Sequence, residues 1–228
     1  MNTNITKLLS TEHTIAADIF RECVYPHTVI PMIKDFIIKL GSTLDKEKYD
    51  NPEKGIWIAK SARIAENAYI GAPCIIDEDA EIRHCAYIRE AAIVGKNCVV
   101  GNSTELKNVI LFDYVQVPHY NYVGDSILGY RVHLGAGALT SNFKMDKSSV
   151  DVFYGESRIK TGINKLGAII GDFVEVGCGS VLNPGTVIGS NTHIYPLSSV
   201  RGYIQDNSIY KSCTEIAKIL LEDGEAVR

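Results

Sequence analysis

The chain has 228 residues, 46% of them hydrophobic and 22% charged, with a formal net charge of -4. That composition fits a globular protein with one sizeable domain, and the slightly acidic balance offers no basic face for nucleic acid. No apolar run approaches the ~20 residues of a membrane span, and MNTNITKLLSTEHT lacks a signal-peptide core, so a cytoplasmic location is expected.

The N-terminal segment 4–41 reads as helical. In TVIPMIKDFIIKLG, Thr28 is placed to cap, Ile30, Ile33, Ile37 and Leu40 form a stripe, and Gly41 is placed to stop the helix. The charged run DKEKYDNPEKG (45–55) reads as a linker. Residues 1–55 are therefore expected to form a helical cap and linker.

From Ile58 the sequence divides into sixes: IAKSAR, IAENAY, IGAPCI, IDEDAE, IRHCAY, IREAAI, VGKNCV, VGNSTE, LKNVIL. Each begins with Ile, Val or Leu, and the fifth place is Ala or Cys in the first seven. At this apolar content, nine apolar hits in fixed phase arise by chance roughly once in a thousand. The phase returns as LGYRVH and LGAGAL, and again from Ile170. A period of six does not keep apolar residues on one helix face, but it suits short strands joined by tight turns, with an aliphatic facing inward on each side. Successive coils then bury one another. Six cysteines include no CxxC pair, and Cys74 and Cys98 fall in small-residue slots of the repeat, where buried thiols are expected.

This pattern resembles the hexapeptide-repeat family. The resemblance implies an all-β solenoid, a left-handed parallel β-helix over 56–205, with short N-terminal and C-terminal helices. SCTEIAKILLEDG (212–224) reads as a capping box followed by a helix, so 206–228 is expected to be helical. The insertion 141–166, with five basic and three acidic residues, is expected to be an arm reaching a neighbouring subunit.

The repeat falters over 112–127. Here VPHYNYVGDSILGYRVHLGAGALTSN (117–142) resembles the acetyltransferase half of the bifunctional N-acetylglucosamine-1-phosphate uridylyltransferase/glucosamine-1-phosphate acetyltransferases. It resembles still more the C-terminal part of archaeal sugar-1-phosphate nucleotidyltransferases, which share KLGAIIGD (165–172) and IYP (194–196). A His followed by xxYxGD and GAGxxTxN appears as His119, Tyr122, Gly124, Asp125, Gly135, Ala136, Gly137, Thr140 and Asn142.

The resemblance implies roles residue by residue. His119 matches the general base, and Arg89 and Lys107 match cations holding a sugar phosphate. Tyr122 and Asn142 match groups that hydrogen-bond the sugar or phosphate, and His133 stands where the family commonly has an Asn that contacts substrate. The backbone of Ala136 matches a contact to the acetyl thioester. Cys178 stands where the family usually has Ser near the coenzyme, and Tyr195 and Pro196 replace smaller residues along its groove. The residue types suit the chemistry. A His titrating near neutrality can take a proton from an amine, glycine-rich backbone can present N–H groups to an oxyanion, and an Arg with a Lys can hold a phosphate.

The expectation is thus an N-acetyltransferase acting on a hexosamine 1-phosphate with acetyl-CoA as co-substrate. It needs no metal and assembles as a homotrimer with no nucleic-acid or membrane partner. The LxxGxGTR-type loop of the nucleotidyltransferase half has no counterpart in these residues. The alternative is a non-catalytic sugar-phosphate-binding or regulatory subunit that partners a separate nucleotidyltransferase. A three-His zinc enzyme of the γ-carbonic-anhydrase kind is disfavoured: His84 and His119 lie about two coils apart, but residue 124, near the third ligand position, is Gly.

Overall fold

In the computed structural model, residues 8–155 and 157–212 are described in full, and 215–218, 221–222 and 225–226 as backbone strands. The chain winds into a parallel β-solenoid, as the hexads lead one to expect.

Three sides are defined by strand register. Along one, Ile58, Ile76, Val94, Leu111, Leu128, Ile170, Ile188 and Ile204 stack coil on coil. All but Ile58 are buried. A second side stacks the strand positions of Glu81, Val99, Gln116, His133, Glu175 and His193, each followed by a buried aliphatic. The third stacks Tyr87, Glu105, Tyr122, Leu139, Val181 and Ser199. The hexad phase is therefore the fold: first-place aliphatics fill a narrow core, and the fifth place is small because it sits inside a corner.

The faltering of the repeat has a geometric cause. Ile58, Ile76 and Val94 recur every 18 residues, as do Ile170 and Ile188, whereas Val94, Leu111 and Leu128 recur every 17. One residue is missing from each of two successive coils, both times at the corner that carries Lys107–Asn108 and Gly124–Asp125. LKNVIL is thus five residues and the start of the next side, rather than a full hexad. The shortened corners turn through left-handed conformations at Asn108 (φ 54°) and Asp125 (φ 48°), which short polar side chains tolerate.

The N-terminal segment differs from expectation. The α-helix is confined to Ile33–Gly41, preceded by a 3-10 segment Pro26–Met32. Pro31 explains the late start: it lacks an N–H and disfavours the α conformation at Ile30. Thr28 does not cap the helix; its hydroxyl donates to the Tyr25 carbonyl at 2.7 Å. Of the expected stripe, Ile30, Ile33 and Ile37 are buried and Leu40 is half-buried.

Nor does this segment close the open end of the coil. It runs along a flank. The amide of Asp172 donates to the Leu8 carbonyl, the amide of Asp113 to that of His13, and Asn108 Nδ2 to that of Ile30. The open end is covered instead by the expected linker, whose residues Tyr49–Glu53 form a strand antiparallel to Ile56–Ala59. A sheet edge left unpaired invites association with other chains, and this strand satisfies it.

Two further expectations are corrected. Residues 151–154 and 157–160 of the insertion form an antiparallel hairpin. Val150, Val152 and Tyr154 are buried, and the carbonyl of Asp151 lies against Gly185, so the hairpin folds back on its own coil instead of standing out as an arm. At the far end, Glu215–Lys218 pairs antiparallel with Ser208–Ser212 where a helix was expected. The last coil again offers an open strand edge, which a returning strand completes. Residues 213–214, 219–220 and 223–224 of that expected helix lie outside the described residues. Among the described residues no helix is long and apolar enough to cross a membrane.

Candidate functional site

Two groups of side chains meet at consecutive turns of the coil. The first gathers on the shortened corner. Lys107 Nζ lies 3.7 Å from Asp125 Oδ1, and Asn108 Nδ2 donates to the same oxygen at 2.8 Å. Asn142 Nδ2 donates to Asp125 Oδ2 and, at 3.1 Å, to the Tyr122 hydroxyl. Asp125 is buried, accepts two amide hydrogen bonds and faces the Lys107 ammonium, so its charge is compensated where it stands. Gly124 makes the convergence possible. A Cβ there would sit 2.5 Å from the Tyr122 hydroxyl oxygen and 2.9 Å from Asn142 Nδ2.

Burial, followed by the charges of Asp125 and Glu105, raises the Tyr122 pKa above the usual phenol range. The hydroxyl therefore keeps its proton and, accepting from Asn142, remains able to donate to a ligand oxygen. Arg89 belongs to the same face. Its Nη1 lies 3.2 Å from Glu105 Oε1, and Glu105 is the strand neighbour of Tyr122.

The second group lines the adjoining corner. His119 is exposed, and its ring makes no hydrogen bond among the described residues. Below it, coil by coil, stand Ala136, Cys178 and Pro196. Gly137 N–H donates to the His119 carbonyl (3.1 Å), Gly179 N–H to that of Ala136 (2.8 Å), and Leu197 N–H to that of Cys178 (2.9 Å). These residues form one line along the solenoid axis, with steps of roughly 4.8 Å between coils. The Ala136 N–H donates to no backbone carbonyl among the described residues. His119 and Tyr122 flank a single corner, so the two groups are contiguous: a cation and amide cluster on one side, an imidazole and an unpaired N–H on the other.

His133 does not join either group. It lies on the strand side before Leu134, and its Nδ1 is 2.8 Å from Glu175 Oε2. Tyr195 is exposed beside Pro196, with its own backbone bound to Tyr210 and to the Ser180 hydroxyl.

Sequence reasoning missed two residues with a part in this arrangement. Asp125 was visible in the YxGD motif but had no role until Lys107, Asn108 and Asn142 were seen to converge on it. Asn121 is buried in a place where the hexads hold Ala, Cys, Thr, Ser or Val, and an amide there is its only signal.

Comparison with known proteins agrees with the repeat and the motif. The family model described as the GMPPB C-terminal domain matches residues 70–154. A bifunctional sugar-1-phosphate nucleotidylyltransferase/acetyltransferase of Sulfurisphaera tokodaii is 34% identical over 151 residues, covering 58% of this chain and 38% of that protein. A bifunctional protein GlmU of Methanococcus maripaludis is 39% identical over 111 residues, 48% of this chain and 27% of that protein. The similarity lies in the C-terminal half of these relatives, and the chain spans well under half their length. Among solved structures, the acetyltransferase domain of PglB from Neisseria gonorrhoeae, in complex with acetyl coenzyme A, is 14% identical with a TM-score of 0.33, covering 82% of this chain and 65% of that one.

Proposed function

We propose that the chain is an acetyl-CoA-dependent N-acetyltransferase whose acceptor is a hexosamine 1-phosphate, glucosamine or galactosamine 1-phosphate. The observation that carries this reading is the adjacency of the His119 imidazole to the N–H of Ala136, both without a hydrogen-bond partner among the described residues, beside a cluster suited to a phosphorylated sugar. Likeness to relatives named as nucleotidylyltransferase/acetyltransferases supports it.

In this reading the amine nitrogen of the sugar attacks the thioester carbonyl carbon and a C–N bond forms. The carbonyl oxygen gains negative charge, which the Ala136 N–H receives. His119 removes the proton from the nitrogen. The C–S bond then breaks, and the departing coenzyme thiolate takes the proton from the imidazolium, leaving the amide and a free thiol. Arg89, Lys107, Asn142 and Tyr122 hold the phosphate and hydroxyls, fixing the amine near His119. Cys178, Tyr195 and Pro196 continue the corner away from Ala136 and would line the pantetheine and adenine. A homotrimer, testable by light scattering at micromolar concentration, would place a neighbour's surface against this groove.

A second reading, a sugar-phosphate-binding or regulatory subunit without turnover, draws on one observation. Both cations already face carboxylates, Arg89 with Glu105 and Lys107 with Asp125. One experiment separates the two. Purified protein is mixed with acetyl-CoA and either amino-sugar 1-phosphate, and thiol release is followed. Release that depends on the sugar supports the enzyme; calorimetric binding of the sugar phosphate without thiol release supports the binding subunit.

A further inference from the structure

Asn121 occupies the fifth place of the coil side VPHYNY, inside the corner, where small residues are the rule. It is 2% exposed, and its side chain makes three hydrogen bonds. Its Oδ1 accepts from the His119 N–H at 3.1 Å. Its Nδ2 donates to the carbonyls of Gly135 at 2.8 Å and Ala138 at 3.0 Å. Its own backbone N–H donates to the Thr104 hydroxyl on the preceding coil.

The orientation of the amide follows from this chemistry. One partner is a donor and two are acceptors, so only one way round satisfies all three. Other polar fifth-place residues make simpler contacts. The hydroxyls of Thr104 and Ser180 each donate to a carbonyl on the following coil, those of Val117 and Tyr195. Asn121 alone among these three spans both ends of the next corner, Gly135 and Ala138, between which Ala136 and Gly137 form the turn.

We infer that Asn121 is a positioning residue for the proposed acetyl transfer. It clamps the 135–138 turn to the backbone of His119, and so sets the separation between the imidazole and the Ala136 N–H. This rests on the functional reading above. The cost of the clamp is a buried amide where Ala would pack with no polar group to satisfy. The return is that the base and the oxyanion donor, which sit on different coils, are tied by three bonds through one rigid side chain. The phosphate-holding cluster around Asp125 has no part in the clamp. Loss of Asn121 is therefore expected to separate turnover from sugar binding.

The test uses the full chain with Asn121→Ser, which keeps a polar group but cannot span the turn, and Asn121→Asp, which turns a carboxylate oxygen toward two carbonyls. For both we expect kcat to fall ten- to a hundredfold with the KM for the sugar phosphate within about threefold of wild type. Amide hydrogen exchange at Gly137, whose N–H is held by the His119 carbonyl, is expected to quicken at least tenfold in Asn121→Ser, with exchange at Gly124 unchanged. Exchange at Gly137 as slow as in wild type overturns the clamp, whatever the activity. Quickened exchange with unchanged kcat overturns its role in positioning. Absence of turnover in the wild type overturns the functional reading, and the catalytic role of Asn121 falls with it. Should Asn121→Asp fail to fold, Asn121→Ser decides alone.

Discussion

Lys107 and Asp125 face one another from adjacent coils, Nζ 3.7 Å from Oδ1, at the two corners that are one residue short. The 17-residue register sets Gly124 directly behind Lys107 and Asp125 one residue beyond it. Gly124 leaves room beside Lys107, the buried Asp125 carboxylate faces the ammonium from the next position, and Asn108 and Asn142 complete its surroundings.

This pairing distinguishes the two cations of the site. Arg89→Ala removes an exposed charge and is expected to leave the thermal midpoint unchanged. Lys107→Ala leaves the buried Asp125 carboxylate with only two amide donors, and is expected to cost about 1–3 kcal/mol of stability. Both should weaken sugar-phosphate binding roughly ten- to a hundredfold by calorimetry, each losing a charge-assisted contact. If scanning fluorimetry gives equal midpoints for the two variants, the structural role of the Lys107–Asp125 pair is refuted.

His119→Asn should keep the fold and the affinity for sugar phosphate while lowering turnover about 10²–10⁴-fold, the range for loss of a general base. Sugar-dependent thiol release at the wild-type rate in this variant would remove His119 from the mechanism.

Ile82 is 1% exposed within the core, so Ile82→Asp places a carboxylate among aliphatics and is expected to cost several kcal/mol or prevent folding. Its neighbour Glu81 points outward between Arg63 (3.4 Å) and Arg83 (2.8 Å). Such surface pairs contribute little, and Glu81→Ala should change stability by less than about 1 kcal/mol. Similar denaturation midpoints for both variants would refute the hexad phase at this coil.

Burial lowers the His27 pKa to about 4, where its Nδ1 lies 3.2 Å from the Tyr154 hydroxyl. In the unfolded chain an imidazole titrates near ~6.5. Between those values the unfolded state binds the proton and the folded state does not, so stability is full above pH ~6.5 and falls toward pH 4. The expected loss from this residue between pH 7.5 and 5 is roughly 2 kcal/mol. Urea midpoints of wild type and His27→Asn across that range should converge as pH falls; parallel curves would mean that His27 is protonated in the folded protein.

The sequence by itself determined the coil. A strict six-residue aliphatic period leaves one way to bury every first-place side chain, and the buried column from Ile76 to Ile204 follows from it. It also named much of the candidate site, because His119, Tyr122 and Asn142 stand in a motif whose residue types and spacing can be compared directly. The tertiary structure decided what depends on register between coils. A single missing residue at a corner shifts which side chains stack, setting Gly124 behind Lys107, and no local pattern reports that Lys107, Asn108 and Asn142 then converge on Asp125. The same holds for His133, which strand pairing turns toward Glu175, and for Asn121, whose two acceptors lie on the following coil. Chain ends were the least legible. Whether residues near a terminus become helix or strand is settled by the open edge they meet, and at both ends of this coil the unpaired backbone of the last strand is matched by another strand.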